Sequence, residues 1–351
     1  MFAVKLPEPK RVLIVRTDRI GDVVLSTPVI KNLRLSYPQA FIAFMCQPIT
    51  EEVVRGNPWI DEVIVYDKKG KHKSFLSSLK FIRELRKKKF NWAIVLHPTL
   101  RIHLLIFLSG IPYRIGWDRK GGFFLNYRFL HRKQEGEKHE VEYNLDLLRY
   151  IGVPIKDSST YFPLKKENDL LVRELLKEKG VSDNDKLLVI HPSASCPSKR
   201  WPEENFIKLI ALIKKELGPK WKIVIVTSQK EKIFAKKILD TYKDIVDLCG
   251  KLSVSQLGSL LNLADIFISN DSGPVHIAST LDRPVISIFG RKDKGLSPTR
   301  WRPRGNKSLY IHKDVGCQIC YAHNCKKGFL CLREITSEEV FSSLKSLIRL
   351  K

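Results

Sequence analysis

The chain has 351 residues, 43% of them hydrophobic and 28% charged, a composition that builds a buried core and excludes disordered and fibrous classes. At roughly 100–200 residues per domain that length favours two domains. Lys and Arg number 62 against 37 Asp and Glu, a formal net charge of +25, with 27 basic against 15 acidic residues up to position 150 and 35 against 22 beyond it. The excess belongs to the folded body and points to an anionic partner: nucleic acid, acidic lipid or a phosphorylated substrate.

The opening MFAVKLPEPK carries Pro7, Pro9 and charges where a signal peptide needs an unbroken apolar stretch, so a cytoplasmic protein is expected. Short apolar runs then alternate with amphipathic helical patterns, the signature of parallel sheets covered by helices and hence of an α/β fold. In chain order the strands are expected at Arg11–Arg16, Ala40–Met45, Glu62–Tyr66 and Asn91–Leu96. They resume at Lys186–His191, Lys222–Thr227, Ile245–Asp247, Ile266–Ser269, Pro284–Phe289 and Ser308–Ile311. Apolar spacing of three and four predicts helices over Val23–Tyr37, Lys73–Lys89, Pro202–Leu217, Glu231–Leu239, Val254–Leu263 and Ser337–Leu350.

Ile102–Ile111 is the longest apolar stretch, about half the ~20 residues that span a bilayer. Lys68–Lys89 holds ten Lys/Arg against Glu84 alone, which reads either as a solvated helix face or as a contact with anionic lipid or phosphorylated saccharide. A charged helical segment, Lys165–Lys179, ends in Gly180 and a polar stretch, and places the domain change within Pro163–Lys186. No GxGxxG follows the first strand and no GxxxxGK[ST] occurs, so dinucleotide-dependent hydride transfer and P-loop chemistry lack their usual phosphate cradle.

Three loops carry candidate chemistry, each following a strand and leading to a helix, where open α/β sheets bind ligands. The first, Arg16-Thr17-Asp18-Arg19-Ile20-Gly21-Asp22, offers Asp22 as a helix cap or as a general base. The second runs from His191 to Pro202, and Ser193, Ser195 and Lys199 could converge on a diphosphate. An ordinary basic loop has the same composition. The third, Asn270-Asp271-Ser272-Gly273-Pro274-Val275-His276, ends a strand and opens a helix. Helix N–H groups are free for a phosphate there, while His276 reads as a core histidine or a ligand contact.

Together with "NPWIDEVI" and "RIGWDRKGGFFLNYRFL", these segments resemble, in order and spacing, the bacterial heptosyltransferases of glycosyltransferase family nine, which add heptose from ADP-heptose to the inner core of lipopolysaccharide. The resemblance covers nearly the whole chain. It implies a GT-B fold of two Rossmann-like domains facing across a cleft: residues 1–165 for the acceptor, 166–335 for the nucleotide-sugar donor, and a terminal helix, 336–351, returning toward the first domain. It puts the catalytic aspartate on Asp22 and the phosphate-binding lysine on Lys199. Donor contacts fall on Asp271, Ser272, Gly273 and His276, to which the second loop's own reading adds Ser193 and Ser195, with Glu231 on the ribose, although the region around Glu231 lacks the family's glycine-rich turn. Arg19, Arg114 and Arg128 fall on the acceptor side, and the middle segment with the cysteine tail looks more like the second heptosyltransferase of the pathway than the first. An inverting transfer needing no cofactor is implied, by a monomer in peripheral contact with the cytoplasmic face of the inner membrane and with a lipopolysaccharide core–lipid A acceptor.

Cys317, Cys320, Cys325 and Cys331 lie within fifteen residues, a spacing that fits neither paired zinc knuckles nor a tight iron–sulfur run. Zinc, an iron–sulfur cluster and a structural or redox role are the alternatives there, with reduced thiols the cytosolic default. Two other functions compete: a transferase of the same fold using another nucleotide-sugar, and a basic nucleic-acid-binding protein, which lacks recognition motifs.

Overall fold

Each apolar run pairs with its neighbours in parallel, and the runs collect into two separate sheets in a computed structural model that describes residues 6–349. Residues 1–5, together with Leu350 of the last predicted helix and Lys351, lie outside the described residues. The first unit extends to Pro163, apart from Glu135–Glu137, and the second takes the rest.

The first unit contains β1 (Arg11–Val15), α1 (Ile20–Val24), α2 (Thr27–Ser36), β2 (Phe41–Cys46), α3 (Glu51–Val54) and β3 (Glu62–Val65), then α4 (Phe75–Lys87), β4 (Trp92–Val95), α5 (Leu100–Leu108), β5 (Tyr113–Asp118), β6 (Tyr127–Leu130) and α6 (Glu140–Tyr150). Its strands lie in the order β3-β2-β1-β4-β5-β6. Leu13, Val15, Met45 and Val95 of the sheet pack against Phe81, Leu85, Ile102 and Ile106 of α4 and α5.

The second unit contains α7 (Lys166–Glu178), β7 (Lys186–His191), α8 (Glu203–Leu217), β8 (Trp221–Ile225), α9 (Lys236–Thr241), β9 (Val246–Asp247) and α10 (Val254–Leu263). It continues with β10 (Ile266–Asn270), α11 (Gly273–Thr280), β11 (Val285–Phe289), α12 (Pro298–Trp301), β12 (Ser308–His312), α13 (Leu330–Arg333) and α14 (Ser337–Arg349). Its order, β12-β11-β10-β7-β8-β9, is the first sheet's order repeated and read from the other edge. Both follow the doubly wound dinucleotide-fold pattern, whose chain reverses direction between its first and fourth strands. The reversal falls between β1 and β4 in one unit and between β7 and β10 in the other, and the three candidate loops leave these strands.

Ten predicted strands form within a residue or two of their expected limits; β5 and β6 were not foreseen. β5 holds Arg114 and Gly116 instead of an apolar run, and β6 is a four-residue edge strand whose residues alternate between half-buried and exposed. The helix expected over Val23–Tyr37 is broken into α1 and α2, because Pro28 lacks an N–H and restarts a helix at Thr27. The stretch expected as one helix from Glu231 begins as a 3₁₀ turn, Gln229–Ala235, before α9. The terminal helix α14 packs against α8, with Val340, Leu344 and Leu347 buried in the second unit's core.

Candidate functional site

In the first unit the loop after β1 is organised by a buried arginine. Arg16, 3% exposed, donates to Asp18 Oδ1 at 2.8 Å, Asp22 Oδ1 at 2.5 Å and Glu140 Oε1 at 3.1 Å. Glu140 and Asn144, on α6, also accept from Lys133 Nζ at 2.7 and 2.9 Å. Asn144 Nδ2 in turn donates to Leu25 O at 3.1 Å, which fixes the end of α1. Gln47 Nε2 pins the loop by donating to Thr17 O at 2.6 Å. Arg16 and Lys133 thus face the carboxyl groups of Asp18, Asp22 and Glu140.

Asp22 stands in the first turn of α1, where Arg19 occupies the cap position and no side chain caps the helix, so its carboxylate is oriented by Arg16 and not by helix N–H groups. Burial raises the Asp18 carboxyl to about 7, with Arg16 opposing and Asp22 adding to the rise. His97, after β4, lies 3.7 Å from Asp18, and burial together with the Arg16 charge pushes it down to about 4.

Of the three arginines expected on the acceptor side, Arg19 is exposed beside Asp22, and Arg128 is exposed on β6, 3.9 Å from Asp118. Arg114 is committed to the fold: Nε donates to Phe124 O and Nη1 to Ile111 O, both at 2.7 Å. Its guanidinium clamps the turn that joins β5 to β6.

In the second unit the register sets His191 of β7 beside Ser269 of β10, which brings the second and third loops together. Asn270 Nδ2 donates to Pro192 O at 2.6 Å and its Oδ1 accepts from Trp201 N at 3.0 Å. Lys199 Nζ and Arg291 Nη2 meet the same oxygen of Asp271, at 3.0 and 2.6 Å, with Asp271 and Arg291 both 5% exposed. Burial alone would raise the Asp271 carboxyl; Lys199 and Arg291 reverse this and hold it below its ordinary value. Two cations on one carboxylate leave a net positive charge next to Ser272 and Gly273, where the eight-residue α11 begins.

On the other side of the loop, Glu231 Oε2 accepts from Ser193 Oγ at 3.2 Å and Ser228 Oγ at 2.9 Å. Ser193 Oγ also lies 3.2 Å from His191 Nε2, while Ser269 Oγ lies 3.3 Å from Nδ1 of the same ring and 2.8 Å from Ser272 Oγ. Burial pushes His191 down to about 4 against the pull of Glu231, so the ring is neutral near pH 7. The structure therefore brings together Ser193, Lys199, Glu231, Asp271, Ser272 and Gly273. Ser195 is exposed on the same loop, and His276 is buried within α11. Sequence reasoning missed Arg16 and Glu140 in the first unit and His191, Ser228 and Arg291 in the second. Arg16 and Arg291 share one signal, an arginine just past an apolar strand.

Cys317, Cys320, Cys325 and Cys331 are all free thiols lining one cavity of about 400 Å³. Burial and the three neighbouring cysteines raise Cys331 to about 11. Among the described residues no three His, Cys, Asp or Glu side chains are grouped to hold a metal ion, so the geometry lends the zinc alternative no support. Among the same residues no helix is long and apolar enough to cross a membrane.

Residues 78–330 match the family model described as glycosyltransferase family 9 (heptosyltransferase). Lipopolysaccharide heptosyltransferase 1 of Campylobacter coli is 27% identical over 96% of this chain and 98% of its own length. A family 9 glycosyl transferase of Veillonella parvula superposes with a TM-score of 0.86 at 23% identity, covering 100% of both chains. The ADP-heptose lipopolysaccharide heptosyltransferase II of Escherichia coli gives 0.76 at 22% identity over 97% of this chain and 99% of that one. These two likenesses bear on the fold.

Proposed function

The chain belongs to glycosyltransferase family 9, with the two-unit α/β architecture called GT-B, and on that premise we propose that it transfers heptose from ADP-heptose to the inner core of lipopolysaccharide with inversion at the anomeric carbon. The observation that carries this reading is the pair of cations, Lys199 and Arg291, converging on Asp271 at the start of α11. A net positive charge at the start of α11 suits a diphosphate, and more so as the bond to the sugar breaks and negative charge grows on the leaving oxygen. Glu231, in the turn after β8 and held by Ser193 and Ser228, is an acceptor group suited to ribose hydroxyls.

In the first unit Asp22 would take the proton of the attacking hydroxyl while the oxygen bonds to the anomeric carbon and ADP departs. Arg16 fixes the carboxylate for that step. Arg19 and Arg128, both exposed, suit the phosphates of a lipid A-linked core at the cytoplasmic face of the inner membrane, with the protein in peripheral contact. Calorimetry with ADP and UDP under matched conditions, beside ADP release from ADP-heptose with a Kdo–lipid A acceptor, tests the reading. Preference for ADP and acceptor-dependent release are expected; equal affinities with no release would overturn it.

A further inference from the structure

Helix α5 is apolar on both sides, for which packing on one face of a sheet gives no reason. Ile102, Leu105 and Ile106 are buried in the first unit's core. Leu100, Leu104, Phe107 and Leu108, at the spacing of a single opposite face, are 54%, 38%, 44% and 37% exposed. Two neighbours extend this face. Phe75 and Leu76 open α4 at 76% and 77% exposure, and Phe123, in the turn after β5, is 70% exposed. Contacts at both helix ends fix the placement: Arg101 Nη2 donates to Ser78 Oγ at 3.1 Å and Arg86 Nη2 to Leu108 O at 2.7 Å. The Phe124 ring lies 5.3 Å from Phe107 and 4.4 Å from Phe123. Helices α4 and α5 therefore run side by side in one direction, as successive right-handed crossovers require.

Cations border this apolar surface. Lys80, Arg83 and Lys87 share one exposed face of α4 with Leu76. The loop before α4 is held rigid by Asp67, whose carboxylate accepts the N–H groups of Lys69, Gly70 and Lys71 at 3.1, 2.8 and 3.2 Å. It presents Lys69, Lys71 and Lys73 exposed at the same end. Exposed leucines scattered singly need no explanation, whereas a contiguous apolar face marks an interaction surface. A second copy of the chain laid on this face would bring two cationic borders together. An anionic bilayer takes in the apolar side chains and pairs with the cations.

We infer that α5, the tip of α4 and the Gly122–Phe124 turn seat the first unit on an anionic lipid bilayer. The starts of α4 and α5 and the turn carrying Phe123 all follow the carboxyl ends of their strands, the edge at which Asp22 stands, and His97 before α5 lies 3.7 Å from Asp18. A lipid-borne acceptor would thus meet the unit on the side of its candidate base. This inference deepens the peripheral contact proposed above and rests on that reading for its choice of partner.

Sedimentation of the full chain with vesicles of phosphatidylglycerol and phosphatidylcholine, against phosphatidylcholine alone, tests it. Binding is expected only with the anionic vesicles and should weaken with salt. A Phe75→Ser, Leu76→Ser, Phe123→Ser variant should bind about tenfold less well or worse. Lys80→Glu, Arg83→Glu, Lys87→Glu should lose about a hundredfold or more. Both should keep turnover on a deacylated, water-soluble acceptor. No binding by the unaltered chain, binding that neither variant weakens, or a dimer dissolved by Leu104→Glu with no vesicle binding would overturn the inference. Vesicle binding without turnover on any acceptor would keep this surface and overturn the transferase reading instead.

Discussion

Asp22 shares one guanidinium with Asp18 and Glu140, so its orientation survives a change that removes only its ability to take a proton. Asp22→Asn keeps an oxygen for Arg16 to donate to, and turnover should fall about 10²–10⁴-fold while ADP binding and the melting curve stay near those of the unaltered chain. Steady-state rates beside a melt check this, and normal turnover in a folded variant would remove Asp22 from the chemistry. Arg291 offers a second test. Arg291→Ala leaves Lys199 and Asp271 as a neutral pair, so calorimetry should show ADP affinity reduced about tenfold or more, and unchanged affinity would confine Arg291 to the fold. Lys199 and Asp271 could be read from sequence because each sits in a polar loop between an apolar strand and a helix, whereas Glu231, expected to open a helix, was placed only by the family resemblance. Arg16 reads as the last residue of its strand and Arg291 as loop, and pairing each with its carboxylates needs the strand register.

At the scale of elements, the loop carrying Lys199 depends on a close approach at the end of β11. A Cβ on Gly290 would lie 2.7 Å from both Ser198 O and Leu332 Cγ, and Leu332 is 1% exposed, so neither neighbour can yield without moving the loop or the end of the cysteine-lined segment. Gly290→Ala should cost about 1–3 kcal/mol of stability and also weaken ADP binding, measured by denaturant unfolding and calorimetry. A variant with full affinity would show that the loop holds its shape without this contact. Elements were readable where one rule governed them: buried parallel strands are apolar runs, and α8 and α10 repeat at helical spacing. β5 and β6 escaped because Arg114, Gly116 and Arg128 interrupt the runs for reasons of contact and edge position, and the α1–α2 break escaped because Pro28 suits the first turn of a helix as well as it ends one.

Across the whole molecule the two units repeat one strand order, a regularity visible in sequence only as strand, polar loop and helix starting afresh after the domain change. What the units share energetically is a set of histidines kept neutral by burial. His191 and His97 are pushed down to about 4, and burial lowers His72 and His103 as well. Unfolding returns each to about 6.5, so below that pH the unfolded chain binds protons the folded chain refuses, and stability falls as the pH drops toward 4. Asp18 opposes this: raised to about 7 by burial, it binds its proton in the folded chain before the unfolded chain does, and adds stability over the same interval. The two histidines held at about 4 together outweigh the one aspartate raised to about 7. Asp271, which burial would raise but Lys199 and Arg291 hold low, contributes stability that is present above its unfolded value of 3.8 and lost below it. The melting temperature should therefore fall steadily from about pH 7 to about pH 4. His191→Asn should flatten that slope, and Asp18→Asn, by removing an opposing proton uptake, should steepen it. Calorimetric melts of the three proteins across this range check the signs, and a melting temperature that rises on acidification would show that Asp18, and not the histidines, governs the acid response.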